Sequence, residues 1–322
     1  MIKRRATRLW KALVIACLLT ACTPELAQPL RIGTNIWPGY EPLYLAGELG
    51  YFGKDSVRLV EYTSSSEVMR AFRNNAIDAA GLTLDEALQL ASLGADLKIV
   101  LVMDISSGAD VILSRQGVKS IKDLKGKRIG AETNALGAYM LTRALEIAGL
   151  SSSEVTVVSL EISEHEHAFK EGMVDAVVTF EPVKSDLLAA GARNIFDSSR
   201  IPGEILDVLV IRSGALKQGD VRVRSILRGW FRALEYMSKN QRPAAEIMAK
   251  REGVSADRLL SSFGGLRFPS LEENRAMLDN GPSVLRASAE RLAAVMAERK
   301  LISSIPDINV LFAAQYLKEG AL

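Results

Sequence analysis

The chain has 322 residues, 48% hydrophobic and 24% charged, with 40 Lys and Arg against 38 Asp and Glu. A formal charge of only +2 gives nucleic-acid binding no compositional support, and two cysteines cannot build a disulfide framework. Such a length exceeds one ordinary small domain and suffices for two lobes with cores of their own.

Lys3, Arg4, Arg5, Arg8 and Lys11 make a positive start, followed by a mainly apolar run from Ala12 to Ala21. That run is too short to span a bilayer as a stable helix. It ends in Leu19-Thr20-Ala21-Cys22, the pattern of a bacterial lipobox. Residues 1–21 are therefore expected to be a removable lipoprotein signal peptide, Cys22 the lipidated residue and 22–29 a tether. Cys17 would leave with the signal, so the mature body would hold no cysteine nucleophile and no thiolate metal site. Loss of the five basic residues takes the body to a charge of about −3. Thr23 after the cysteine does not settle which membrane carries the anchor. The expected location is the bacterial cell envelope, facing the periplasm or the exterior.

Short apolar runs then alternate with helical patterns. Leu30 to Thr34, Val57 to Glu61, Ala76 to Gly81 and Leu97 to Met103 read as strands, with helices through Pro42–Leu49 and Glu67–Asn74. A second series follows: Arg128 to Gly130, Val155 to Ser159 and Val174 to Thr179 as strands, Leu136–Ala148 and Glu164–Glu171 as helices. The alternation predicts βαβ units, a mostly parallel sheet and an α/β fold class. The two series share a register. Arg31-Ile32-Gly33 recurs 97 residues later as Arg128-Ile129-Gly130, Asp78-Ala79 as Asp175-Ala176, and Asp110-Val111 with Arg115 as Asp207-Val208 with Arg212. Two similar lobes in tandem explain this, as does recurrent βαβ vocabulary without common ancestry.

Lobe 1 is assigned to residues 30–108, lobe 2 with a hinge strand to 109–205, and a return hinge strand with a helical C-terminal part, packing mainly on lobe 1, to 206–322. Ala109–Arg115 and Leu206–Arg212 are read as the two crossings, the alternative being ordinary strands within one lobe. Ile226, Trp230, Ala233, Leu234 and Met237 fall at helical spacing, as do Leu285, Ala289, Leu292, Val295 and Met296. These are core positions. Pro282 with Ser283 suits the start of the later helix.

A ligand is expected beyond the carboxyl ends of the strands, in the cleft between the lobes. Asn35, Trp37 and Tyr40 follow the first strand, Trp37 and Tyr40 offering flat faces with a polar tip. Ser64 and Ser65 precede a helix and can hold an oxygen-rich group, whereas Ser66 reads as a plain N-cap. Thr83 joins them beyond the third strand. Lobe 2 supplies Glu132, Thr133, Asn134 and Glu181, where Thr133 and Asn134 serve either as caps or as contacts. The cleft loops contain Glu41, Glu132 and Glu181 but no Arg or Lys. A dedicated anion site usually has a cation, so an amine, amidine or protonated heterocycle is the expected ligand. His165-Glu166-His167 does not make a metal site, since neighbouring helical residues diverge, and Ser163 with Glu166 fits a capping box instead. No nucleophile elbow or phosphate loop is present, so catalysis, metals and cofactors are not expected.

Gly39-Tyr40-Glu41-Pro42, Ala46 and Gly50-Tyr51-Phe52 resemble the opening of substrate-binding lipoproteins of bacterial ABC importers in the nitrate/taurine/sulfonate and thiamine-pyrimidine-precursor class. Ser66-Glu67-Val68-Met69, Asp78-Ala79-Ala80, Val174-Asp175-Ala176-Val177, Glu181-Pro182 and the late Asp307 with Leu311-Phe312 extend the resemblance from Leu30 onward. It implies a two-lobed periplasmic-binding-protein fold of type II and delivery of a captured solute to an ABC permease in the inner membrane. The partners are then a small-molecule solute, that permease and the membrane through a lipid anchor, with no nucleic acid and the protein a monomer. A ligand-sensing lipoprotein of the same fold is the alternative. A pyrimidine-synthesising enzyme is opposed by the absence of a cysteine-rich active segment.

Overall fold

The computed structural model describes residues 28–53, 56–133, 136–216, 221–279 and 281–318. The signal segment, Cys22, the tether up to residue 27 and Asn134 lie outside the described residues.

The β-strands are β1 (Leu30–Thr34), β2 (Val57–Glu61), β3 (Ala79–Thr83), β4 (Leu97–Ser106), β5 (Val111–Ser114), β6 (Arg128–Ala131), β7 (Thr156–Ser159), β8 (Ala176–Thr179), β9 (Arg193–Asp197), β10 (Leu206–Arg212) and β11 (Leu266–Arg267). They form two sheets, ordered β11-β4-β10-β3-β1-β2 and β7-β6-β8-β5-β9. In lobe 1, β1 runs parallel to β2 and β3, as β6 does to β7 and β8 in lobe 2. In lobe 1, β10 runs antiparallel to β3 and β4, and β4 to β11 as well; in lobe 2, β5 runs antiparallel to β8 and β9. Ile32, Leu82, Ile99, Leu101, Val208 and Val210 are buried in the first sheet's core, onto which Trp230 packs from the helix Val221–Lys239. Lobe 2 buries both faces, with Ile112, Ile129 and Val178 in one cluster and Val111, Leu113 and Val177 in another. Alternate residues of a strand point to opposite faces, and here both faces are covered.

The chain passes between the lobes twice, through residues 107–110 and 198–205. Of the segments read from the sequence as the crossings, Ala109–Arg115 contributes Ala109 and Asp110 to the first crossing and then the antiparallel strand β5, while Leu206–Arg212 is β10, the antiparallel strand that follows the second crossing. At the first crossing, Ser198 Oγ lies 2.7 Å from Ser106 Oγ and accepts from Gly108 N–H at 2.6 Å. The two crossings thus touch.

The repeat has a physical counterpart in each lobe. Arg31 donates its backbone N–H (3.0 Å) and its guanidinium (2.9 and 2.8 Å) to Asp78, and reaches Asn75 O at 3.1 Å. Arg128 binds Asp175 in the same way at 2.9, 3.4 and 3.4 Å, and Gly172 O at 2.8 Å. The glycine of each Arg-Ile-Gly has no room for a side chain: a Cβ on Gly33 would lie 2.5 Å from Ile77 Cδ1, and one on Gly130 would lie 2.7 Å from Leu160 Cδ1. The later half of the repeat is exchanged. Arg115, in the first copy, donates to Phe169 O (2.6 Å) of the second lobe, while Arg212 donates to Phe72 O of the first. Each guanidinium also lies over the ring of the phenylalanine it binds. The lobes have therefore traded their antiparallel strands.

Removing Asp78 leaves the Arg31 N–H without its acceptor. Asp78→Ala is expected to cost about 1–2 kcal/mol, and Asp175→Ala less, because its guanidinium contacts are longer and more exposed. Denaturant unfolding of the two variants checks this; equal stability losses would contradict the ranking.

Candidate functional site

The helices that frame the cleft are α1 (Glu41–Glu48), α2 (Ser65–Arg73), α3 (Leu84–Ser92), α4 (Leu136–Ala148), α5 (Ile162–Lys170) and α6 (Val183–Ala189). The first three follow the parallel strands of lobe 1, and α4 follows β6 of lobe 2. Their N-terminal turns converge on a small cavity between the lobes. Asn35, Trp37, Tyr40, Ser65 and Thr83 line it, as the sequence predicts, joined by Glu86, Asp110, Asp207, Leu136 and Phe180. The space is about 20 Å³, room for about one water. The lobes are closed on each other, and any larger ligand must part them.

Closure is made by named contacts. Trp37 meets Phe180 of lobe 2 edge to face, centroids 5.5 Å apart. Ser66 Oγ donates to Glu132 Oε1 at 3.3 Å, and Leu136 N–H donates to Glu86 Oε1 at 3.3 Å. Arg258, from the C-terminal helices, donates to Pro182 O at 2.7 Å and pairs with Asp186 at 2.8 Å.

Carboxyl groups dominate the wall. Asp104 and Asp207 are directly opposed across the β4–β10 pair, and both are buried. Trp37 Nε1 donates to Asp104 Oδ2 at 3.2 Å, and the Tyr40 hydroxyl to Asp207 Oδ1 at 2.5 Å. Among the described residues no donor reaches Asp104 Oδ1 or Asp110 Oδ2. Burial pushes Asp104 up to about 8 and Asp110 to about 7, and raises Asp207 well above the usual carboxylate range with the Asp104 charge adding to it. Asp85, just behind the cavity, is pushed to about 8 by burial and then by Glu86. Like charges this close hold protons until an opposite charge arrives. No Arg or Lys lines the cavity among the described residues. Lys184 favours the charged form of Asp110 from nearby, while donating to Gly108 O at 3.1 Å.

Several predicted contacts are placed elsewhere. Ser64, not Ser66, is the N-cap of α2, its Oγ accepting from Glu67 N–H at 3.3 Å, so it is spent on the helix. Glu132 is buried at the lobe interface and pushed to about 8 by burial, but does not line the cavity. Thr133 lies beside Ser159, hydroxyls 2.8 Å apart, near a separate cavity of about 180 Å³. Glu181 accepts from Ser185 N–H (3.3 Å) and Ser185 Oγ (3.0 Å) in the first turn of α6, so its neighbour Phe180 faces the ligand space instead. Glu41 is fully buried against Arg251, whose Nε lies 2.8 Å away. The cation that pairs with it comes from 210 residues along the chain.

The sequence reading did not place Glu86, Asp110 and Asp207 at the cavity, or Asp104 beside them. Two signals were present: Thr83-x-x-Glu86 is a helix-start pattern, and Asp110 and Asp207 are equivalent positions of the repeat. Helix α5 begins with Glu161 and Glu164, whose carboxylate accepts from Glu161 N–H at 2.8 Å, rather than with Ser163 and Glu166. Ser283 caps the later helix, which starts at Val284, so Pro282 precedes the cap. His165 is a core residue with Nδ1 3.2 Å from Thr179 Oγ1, and burial lowers it to about 4. The described residues contain no cluster able to hold a metal ion.

Two α/β lobes, two crossings and a ligand space at the seam define the two-lobed periplasmic-binding-protein fold. The model of the NMT1-like family matches residues 23–251, and the chain belongs to that family. An Escherichia coli protein provisionally named for aliphatic sulfonate binding is 26% identical over 209 residues, 64% of this chain and 65% of its own. The chain thus spans less than two thirds of the length of the curated relatives it matches. The solved periplasmic aliphatic sulphonate binding protein of Escherichia coli superposes with a TM-score of 0.73 at 20% identity, covering 90% of this chain and 98% of that one. The ligand-binding component of an ABC-type import system from Staphylococcus aureus gives 0.75 at 15% identity, covering 91% and 98%. All three are named as binding components.

A Cβ on Gly39 would lie 1.9 Å from Asp104 Oδ2 and 2.3 Å from Trp37 Nε1. Gly39→Ala should therefore break the Trp37–Asp104 bond, cost about 2–4 kcal/mol and shift tryptophan emission to the red. Unchanged emission and stability would contradict the geometry.

The carboxyl shifts also fix a sign. Their folded values lie above the unfolded 3.8, so between there and about 8 the folded protein binds more protons, and stability falls as pH rises. His165 acts oppositely, but only below its unfolded value of 6.5. Tm is expected to fall between about pH 6.5 and 8.5, and less steeply in Asp104→Asn. A rising Tm over that window would contradict the assignment.

Proposed function

We propose that this protein is the solute-binding component of an ABC import system of the bacterial cell envelope, specific for a small organic cation. It is held to the membrane through a lipid on Cys22, works as a monomer, and passes its ligand to a permease in the inner membrane. The carrying observation is the cavity wall: Glu86, Asp110 and Asp207 face it, and no basic side chain does among the described residues. Amines, amidines and protonated heterocycles such as aminopyrimidines have the matching charge, and Trp37, Tyr40 and Phe180 suit a flat or alkyl body.

Capture follows from the two lobes. Trp37, Tyr40, Asp207 and Glu86 belong to lobe 1, Leu136 and Phe180 to lobe 2, so a ligand touching both favours closure. A cation also relieves the cost of burying the carboxylates, which couples binding to closing. The sulfonate specificity in the names of relatives is not carried over, because no basic side chain among the described residues faces the cavity to pair with an anion. Relatives named for binding and import do not favour the sensing alternative.

Protein starting at Thr23, unfolded and refolded to strip any carried ligand, would be titrated calorimetrically with alkylamines, aminopyrimidines, taurine, alkanesulfonates and nitrate. Saturable binding of a cation is expected, and an anion-only response would sink the proposal. A cation binds the ionised carboxylates, so an alkylamine that stays protonated should bind more tightly at pH 8.5 than at pH 6, with proton release seen as a buffer-dependent enthalpy. In cells, Cys22→Ser should move the protein from the membrane to the soluble fraction.

A further inference from the structure

We infer that Glu86 is the residue that sets the sign of the charge this cleft accepts, acting as a built-in carboxyl acceptor at the point where the two lobes meet. The inference rests on the cation reading above and names the side chain responsible.

Glu86 lies in the first turn of α3 and is only 1% exposed. Its Oε2 accepts from the Thr83 N–H at 3.0 Å, closing the start of its own helix. Its Oε1 accepts from the Leu136 N–H at 3.3 Å, at the start of the 13-residue helix α4 in the opposite lobe. One carboxyl group thus bonds one N–H at each of two helix starts, one from each lobe. A helix N-terminus is where a cleft without Arg or Lys would hold a sulfonate, nitrate or carboxylate, through free N–H groups and the helix dipole. In this protein one N–H at the start of α4, that of Leu136, is already bonded by a carboxyl oxygen; burial raises Glu86 above the usual carboxylate range, and its bonds from Thr83 and Leu136 favour the charged form. An anion would have to displace Glu86 and then sit beside Asp110 and Asp207.

A cation meets the reverse situation. Glu86 is held in orientation by two N–H groups and needs no reorganisation to face it. A second, independent observation points the same way: Asp110 Oδ2, buried on the same cavity, has no donor of its own among the described residues. A ligand ammonium or amidinium supplies donors as well as charge. The Glu86–Leu136 bond also crosses from lobe to lobe, so the selecting group belongs to the closing contact itself.

The test compares wild type, Glu86→Gln and Glu86→Ala by calorimetry, using butylamine and butanesulfonate as probes and circular dichroism to confirm folding. Butylamine affinity should fall roughly tenfold or more in both variants, as for loss of one partner of a buried charge pair. Butanesulfonate, rejected by wild type, should bind Glu86→Ala, where the α4 N-terminus is uncovered. If Glu86→Ala does not fold, the near-isosteric Glu86→Gln carries the test through its loss of amine affinity. Folded variants that keep wild-type butylamine affinity and still reject butanesulfonate would overturn the inference while leaving the cation reading intact. Wild type that takes butanesulfonate and rejects butylamine would instead overturn the cation reading, and this inference with it.

Discussion

Burying a carboxylate without a cation costs several kcal/mol, and this protein gathers a cluster of carboxyls at one seam. Asp85, Glu86, Asp104, Asp110 and Asp207 are each at most 3% exposed where the lobes meet. Protons and hydrogen bonds from Trp37, Tyr40 and the Thr83 and Leu136 N–H groups carry part of that cost. Under the proposed function, the remainder makes closure depend on what enters the cleft. Hinge motion, ligand charge and pH dependence then become one problem in electrostatics, because the groups proposed to recognise the ligand are those whose burial closure demands.

The repeated frame places two of the acidic groups at one seam. Asp110 and Asp207 occupy equivalent positions of the repeat, one just before β5 and the other within β10. Because the lobes exchange these strands, both aspartates are delivered to the seam beside the crossings, and both line the same cavity. The paired anchors Arg31–Asp78 and Arg128–Asp175 hold the remote ends of the two lobes in the same way. The repeated frame thus supplies a similar anchor in each lobe and two equivalent aspartates, and the strand exchange turns both aspartates inward.

Much of the fold was legible because each strand is a short apolar run and each helix has its own period. The limits of β1, β2 and α4 agree with the sequence reading to the residue. The hinge was less legible, since a buried strand after a crossing looks the same as a strand that crosses. At the site, Asn35, Trp37, Tyr40, Ser65 and Thr83 were found by following the strand ends. The acidic character was read through Glu41, Glu132 and Glu181, none of which lines the cavity; the carboxyls that line it are Glu86, Asp110 and Asp207. Glu41 is neutralised by Arg251 and Glu181 is engaged by Ser185, pairings that sequence spacing does not reveal. The residues that do face the ligand space sit within patterns read as helix start or buried strand, where a carboxylate passes for a cap or a strand end.

The most direct measurement is the identity of the molecule that the protein carries when purified under native conditions from the cells that make it. Acid denaturation would release it, and mass spectrometry with charge-selective chromatography would define it. A bound amine, amidine or protonated heterocycle, present in near-stoichiometric amount, is the result predicted by an acidic seam that closes on a cation. A sulfonate, nitrate or other anion held at that stoichiometry would contradict it.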